Sequence, residues 1–138
     1  MTTVLLTGFE PFGGDAVNPS GDGEQPVDVP SAPGAAAAHF ATLPAKEIAR
    51  RIAAAGIPAE VSYSAGTFVC NHVFFTALEA AASGTRAGFV HVPWSSEHAP
   101  AADSAALPLA DIAQGLEIAV RTSLEVAADT STPGGTLH

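Results

Sequence analysis

The chain has 138 residues, 47% of them hydrophobic, and a formal net charge of −9 that sets five Lys and Arg against fourteen Asp and Glu. That length and apolar content suit one domain with a core, although much of the content is alanine, which buries little area per residue. The acidic balance argues against nucleic acid or an anionic membrane surface as partner, and a single cysteine excludes an internal disulfide or a Cys-based zinc site.

Thr3 to Thr7 reads as a buried strand centred on Val4-Leu5-Leu6. The first residues lack the positive charge of a signal peptide, and no window approaches the roughly 18 apolar residues of a membrane span. A cytoplasmic address is expected, where a free thiol stays reduced. The strand leads into Gly8-Phe9-Glu10-Pro11-Phe12-Gly13-Gly14, where glycines bracket two phenylalanines and a proline stiffens the loop between them. This is either a turn whose rings plug the rim of the core or an aromatic wall for a small flat ligand. It has neither Gly-Lys-Ser/Thr nor Gly-x-Gly-x-x-Gly, so it does not read as a phosphate cradle.

From Asp15 to Ala35, four prolines and several glycines leave no apolar period, and the segment reads as loop. Helix signals resume at Thr42-Leu43-Pro44, with Thr42 as N-cap and Pro44 in the first turn. Ala45, Ile48, Ala49, Ile52 and Ala55 share one face, Lys46, Glu47, Arg50 and Arg51 fall on the others, and Gly56 and Pro58 end the helix. A strand over Ala59 to Ser64 follows, then a turn at Gly66 to His72, then an alanine-rich helix from Val73 that closes at Ser83-Gly84. Phe74, Phe75 and Leu78 read as its core contacts and His72 as a partly exposed polar residue. Ala87 to Pro93 reads as a short apolar strand ending in His91, Trp94 to Leu107 as a loop, and Pro108 to about Ala128 as a helix with Leu109, Ile112, Leu116, Val120 and Leu124 on one face. Residues 1–128 form the expected domain, and Asp129 to His138 a flexible tail. The alternation of strand and helix puts the chain in the α/β class, with a mainly parallel sheet flanked by helices.

Cys70 falls where a strand signal gives way to a helical one. A thiol there meets the positive end of a helix, which favours thiolate, and the unpaired N–H groups of the first turn offer donors to a developing oxyanion. The competing reading is an inert buried hydrophobe. His91 ends the next strand, and active-site residues of parallel α/β sheets gather at the carboxyl ends of strands. Glu97, His98 and His91 lack the spacing of a metal site.

Three motifs, Gly8-Phe9-Glu10-Pro11-Phe12-Gly13-Gly14 with Asn18-Pro19-Ser20, Gly66-Thr67-Phe68-Val69-Cys70-Asn71-His72, and Gly88-Phe89-Val90-His91-Val92-Pro93, together resemble pyroglutamyl peptidase I, a family of cytosolic cysteine peptidases that remove an N-terminal pyroglutamyl residue. The resemblance extends through Gln25-Pro26-Val27-Asp28 and Phe40-Ala41-Thr42-Leu43-Pro44. It implies a Cys70 nucleophile, a His91 base, and Phe9, Phe12, Asn18, Phe68 and Val69 around the lactam ring, with no cofactor and no metal. A family segment is missing near Ser20-Gly21, so the implied fold is a truncated three-layer α/β/α one. The segment would carry a loop resembling Gly-Gln-Ala-Gly-Gly-Arg, the glutamate of a Cys-His-Glu triad and an arginine near the oxyanion site. Glu10 and Glu97, the nearest substitutes for the acid, read as surface carboxylates. Two outcomes follow: a cysteine exopeptidase acting on N-terminal pyroglutamyl peptides, or an inactive remnant whose open sheet edges make it unstable or a homo-oligomer.

Overall fold

The computed structural model describes residues 2–6, 34–66, 69–102 and 104–131. Their elements run in the order α1 (Ala45–Ala54), α2 (Val69–Ala80), β1 (Trp94–Ser95), β2 (Ala106–Leu107) and α3 (Leu109–Glu125). β1 and β2 pair in parallel, Trp94 opposite Ala106 and Ser95 opposite Leu107. Helices with a small parallel sheet make this a truncated α/β fold. Among the described residues, no helix is long and apolar enough to cross a membrane.

α1 keeps its predicted apolar face but not its predicted cap. Pro44 is the N-cap and makes no side-chain bond; Thr42 is engaged elsewhere, its Oγ1 accepting from Ala87 N at 2.8 Å while its own N–H donates to Ala87 O at 2.9 Å. The orphan N–H groups of the first turn are met by Asp129, whose carboxylate accepts from Lys46 N at 2.9 Å and Glu47 N at 3.1 Å. Asp129, expected to begin a frayed tail, is therefore anchored; residues 132–138 lie outside the described ones. Burial pushes the Asp129 carboxyl up, but the N–H groups of Lys46, Thr130 and Glu47 together hold it below the ordinary value.

Glu47, assigned with the polar faces, is buried. Arg50 Nε and Arg51 Nε donate to its carboxylate at 2.7 and 2.8 Å. The hydrogen bonds from Arg50 and then Arg51, against burial, lower its pKa to about 2. Arg51 also reaches Glu125 of α3, so one guanidinium joins the two helices.

α3 packs against α1 through Gly115, Ala119 and Thr122. A Cβ on Gly115 would lie 3.7 Å from Ile52 Cγ2, an ordinary contact distance. The leucine stripe expected to be buried is turned partly away, with Leu109 and Leu124 exposed. Helical spacing marks both stripes, but small residues let two helix axes approach more closely, and α1 takes that side. Among the described residues, the core consists of Ile48, Ile52, Ile57 and Ala119, with Leu43, Ala59, Leu107 and Ile118 packed on it. Each fully buried isoleucine contributes about 1.5–3 kcal/mol.

Three predicted strands differ. Residues 3–6 join no ladder, and Leu5 is 84% exposed. Over Ala59–Ser64 the serines bond locally instead: Ser62 Oγ donates to Ser64 O at 2.8 Å and accepts from Ser64 N at 3.3 Å. Such bonds give the backbone an alternative to a ladder. Ala87–Pro93 forms no ladder either, whereas the predicted loop after it supplies both strands. An apolar or alternating run defines a face, but a strand also needs a neighbour.

Candidate active site

Cys70 is the second residue of α2, free and half-buried, and Val69 is the first. The helix begins earlier than Val73, so the thiol sits inside the first turn, among N–H groups that have no intrahelical acceptor. Gly66 sets up this entry. Its φ of 81° is in the left-handed region that glycine tolerates, and its N–H donates to Ser64 Oγ at 3.0 Å. Thr67 and Phe68 lie outside the described residues, as do Phe9, Phe12, Asn18, Glu10 and Asp103.

α2 is held on two sides by side chains of consecutive residues. Phe75 lies 5.0 Å from the His39 ring, and His39 Nε2 is 2.5 Å from Glu79 Oε2 one helical turn further along. Phe74 meets Phe89 with ring centroids 5.9 Å apart. Phe89 in turn meets the imidazole of His91 at 6.0 Å and 74°, an edge-to-face arrangement. The His91 side is exposed.

The chain leading to His91 is fastened at three successive residues. The Arg86 guanidinium donates to Val126 O at 2.6 Å and to Ser123 O, carbonyls at the C-terminal end of α3, where a cation meets the negative end of the helix dipole. Ala87 exchanges bonds with Thr42, and Gly88 lies beneath Leu43. α2 and the His91 segment are thus brought together through their aromatic side chains. Among the described residues, no hydrogen bond joins Cys70 to His91.

His98 Nδ1 pairs locally with Ser95 Oγ at 2.9 Å, and Glu97 and His72 are exposed. Among the described residues, no group of three or more His, Cys, Asp or Glu is arranged to hold a metal ion. Sequence reasoning missed the roles of Arg86, Thr42 and Phe89. For Phe89 a signal existed: it stands two residues before His91, as Phe74 stands four after Cys70, so each shares a side of its segment with a candidate catalytic residue.

The sequence model of the pyroglutamyl peptidase family matches residues 20–126. A pyrrolidone-carboxylate peptidase of Escherichia fergusonii is 45% identical over 127 residues, 90% of this chain and 59% of the relative; that of Chromobacterium violaceum is 46% identical over the same shares. The crystal structure of pyroglutamyl peptidase I from Bacillus amyloliquefaciens superposes with a TM-score of 0.71 at 38% identity, covering 80% of this chain and 54% of that one. The chain belongs to the pyroglutamyl peptidase family. It spans little more than half the length of these relatives. Phe68, Val69, Cys70 and His91 fall within the matched residues 20–126, while Phe9, Phe12 and Asn18 precede them.

Proposed function

We propose that the chain acts as a cysteine exopeptidase that removes N-terminal pyroglutamate from peptides. The observation that carries this reading is the placement of Cys70 in the first turn of α2, within the family match, with the His91 segment joined to the same helix by the Phe74–Phe89 contact. Cys70 thiolate attacks the pyroglutamyl carbonyl, and the N–H groups of the first turn receive the developing oxyanion. His91 takes the thiol proton and delivers it to the leaving amine. Water then resolves the thioester, its proton passing to His91 and back to the departing sulfur, which regenerates the thiol. Phe9, Phe12, Asn18, Phe68 and Val69 form a slot for a flat lactam that has no free amino terminus. No cofactor takes part, and a cytoplasmic setting keeps the thiol reduced.

The test is hydrolysis of a fluorogenic pyroglutamyl amide by the purified chain, beside Cys70→Ser and after treatment with a thiol alkylator. Turnover lost in both supports the reading; turnover that survives Cys70→Ser sinks it.

A second reading, an inactive and self-associating remnant, draws on the exposure of Leu5, Leu6, Tyr63, Val90, Val92 and Trp94. Large apolar side chains left open to solvent favour association. Sedimentation across a concentration series, with no turnover from folded protein, separates it from the first.

A further inference from the structure

Phe74 and Phe89 touch although fifteen residues apart, and the chain is helical as far as Ala80. The chain must therefore reverse between them, at the turn where Gly84 takes a φ of 82°. Phe89 and His91 stand two residues apart with their rings in contact, so both side chains lie on one side of their segment, as in extended backbone. Cys70 and Phe74 stand four apart on one face of α2.

The offsets agree in length and direction. Going from Phe74 back to Cys70 covers about 6 Å of helix at 1.5 Å per residue, and going from Phe89 on to His91 covers about 6.6 Å of extended chain at 3.3 Å per residue. Because the two segments run in opposite directions, both steps lead the same way from the aromatic contact. Resting on the peptidase reading, we propose that Phe89 is a positioning residue: gripped by Phe74, it sets the register that brings the His91 imidazole alongside the Cys70 thiol, and its edge-to-face contact fixes the tilt of that imidazole. Neither aromatic side chain touches substrate. Their role is geometric, in a site where a misplacement of about 1 Å is worth roughly a hundredfold in rate.

The experiment uses the full chain with Phe89→Leu, Phe89→Tyr, Phe74→Leu and, as a comparison, Phe75→Leu, whose ring faces His39. Phe89→Leu and Phe74→Leu should lower kcat about ten- to a hundredfold with KM changed less than about twofold, and Phe89→Tyr should restore kcat. Phe75→Leu should cost stability without that split. Retention of kcat in both Phe89→Leu and Phe74→Leu, or an equal loss in Phe75→Leu, overturns the proposal. A wild-type chain that turns over nothing defeats the peptidase reading separately, and nuclear magnetic resonance of the His91 ring protons then decides. Their ring-current displacement should vanish in Phe89→Leu and persist in Phe75→Leu; an unmoved signal in Phe89→Leu overturns the positioning role.

Discussion

Leu43 lies so close over Gly88 that a methyl group added at Gly88 would sit 2.6 Å from its Cδ1 and 2.8 Å from its Cγ. Gly88→Ala should lower stability by about 1–3 kcal/mol through overpacking, and Leu43→Ala in the same chain should recover part of that loss. At Gly115, inside α3, the same substitution meets only an ordinary contact with Ile52. Gly115→Ala should raise stability by about 0.5–1 kcal/mol through helix propensity. Urea titrations of the three variants check both signs.

Thr122 is fully buried at 0% exposure, and among the described residues its Oγ1 finds no hydrogen-bond partner. A buried hydroxyl without a partner costs about 1–3 kcal/mol. Thr122→Val keeps the branched shape and removes the unmet group, so its melting temperature should equal or exceed that of the wild type. A clear drop would mean that the hydroxyl has an acceptor in solution.

The Asp129 carboxylate closes the start of α1 from the far end of the sequence. Asp129→Ala should cost about 0.5–2 kcal/mol, the usual range for loss of a cap. Asp129→Asn, which can still accept from Lys46 N or Glu47 N, should lose only a few tenths. Hydrogen exchange at those two amides should quicken in the alanine variant more than at amides in α2.

Glu47 has a folded pKa of about 2 against an ordinary value of 4.5. A depressed carboxyl stabilises the fold when ionised, so its contribution is whole above 4.5 and falls away as pH drops from 4.5 toward 2. Asp129, also held low, acts in the same direction. The urea midpoint should therefore be flat near neutrality and decline through that acid window. Glu47→Gln should start from a lower midpoint and show a shallower decline.

α1 and α3 were legible because their apolar residues recur at helical spacing and need only their own chain to form hydrogen bonds. Cys70 and His91 stood out because each stands at a change of local pattern; their catalytic roles belong to the proposal. The strands were not, since Val90 and Val92 read as buried only if neighbours exist to cover them, and in the structure both are exposed. The charged contacts were missed for a similar reason. Nothing near Asp129 or Arg86 in the sequence announces the helix end each one meets, because partners 82–83 and 37–40 residues away leave no local signature.

Cys70 and His91, the pair to which the proposed chemistry is assigned, lie in the sequence between two helices that pack on each other. The α1–α3 contact closes a ring of residues 55–108, and closing a loop of that size takes roughly 3.5 kcal/mol of chain entropy before anything inside it is arranged. The proposed nucleophile and base are therefore tenants of a ring that they do not fasten. Substitutions at Gly115 or Glu47, far along the chain from either, will reach the site as changes in the fraction of molecules whose ring is shut.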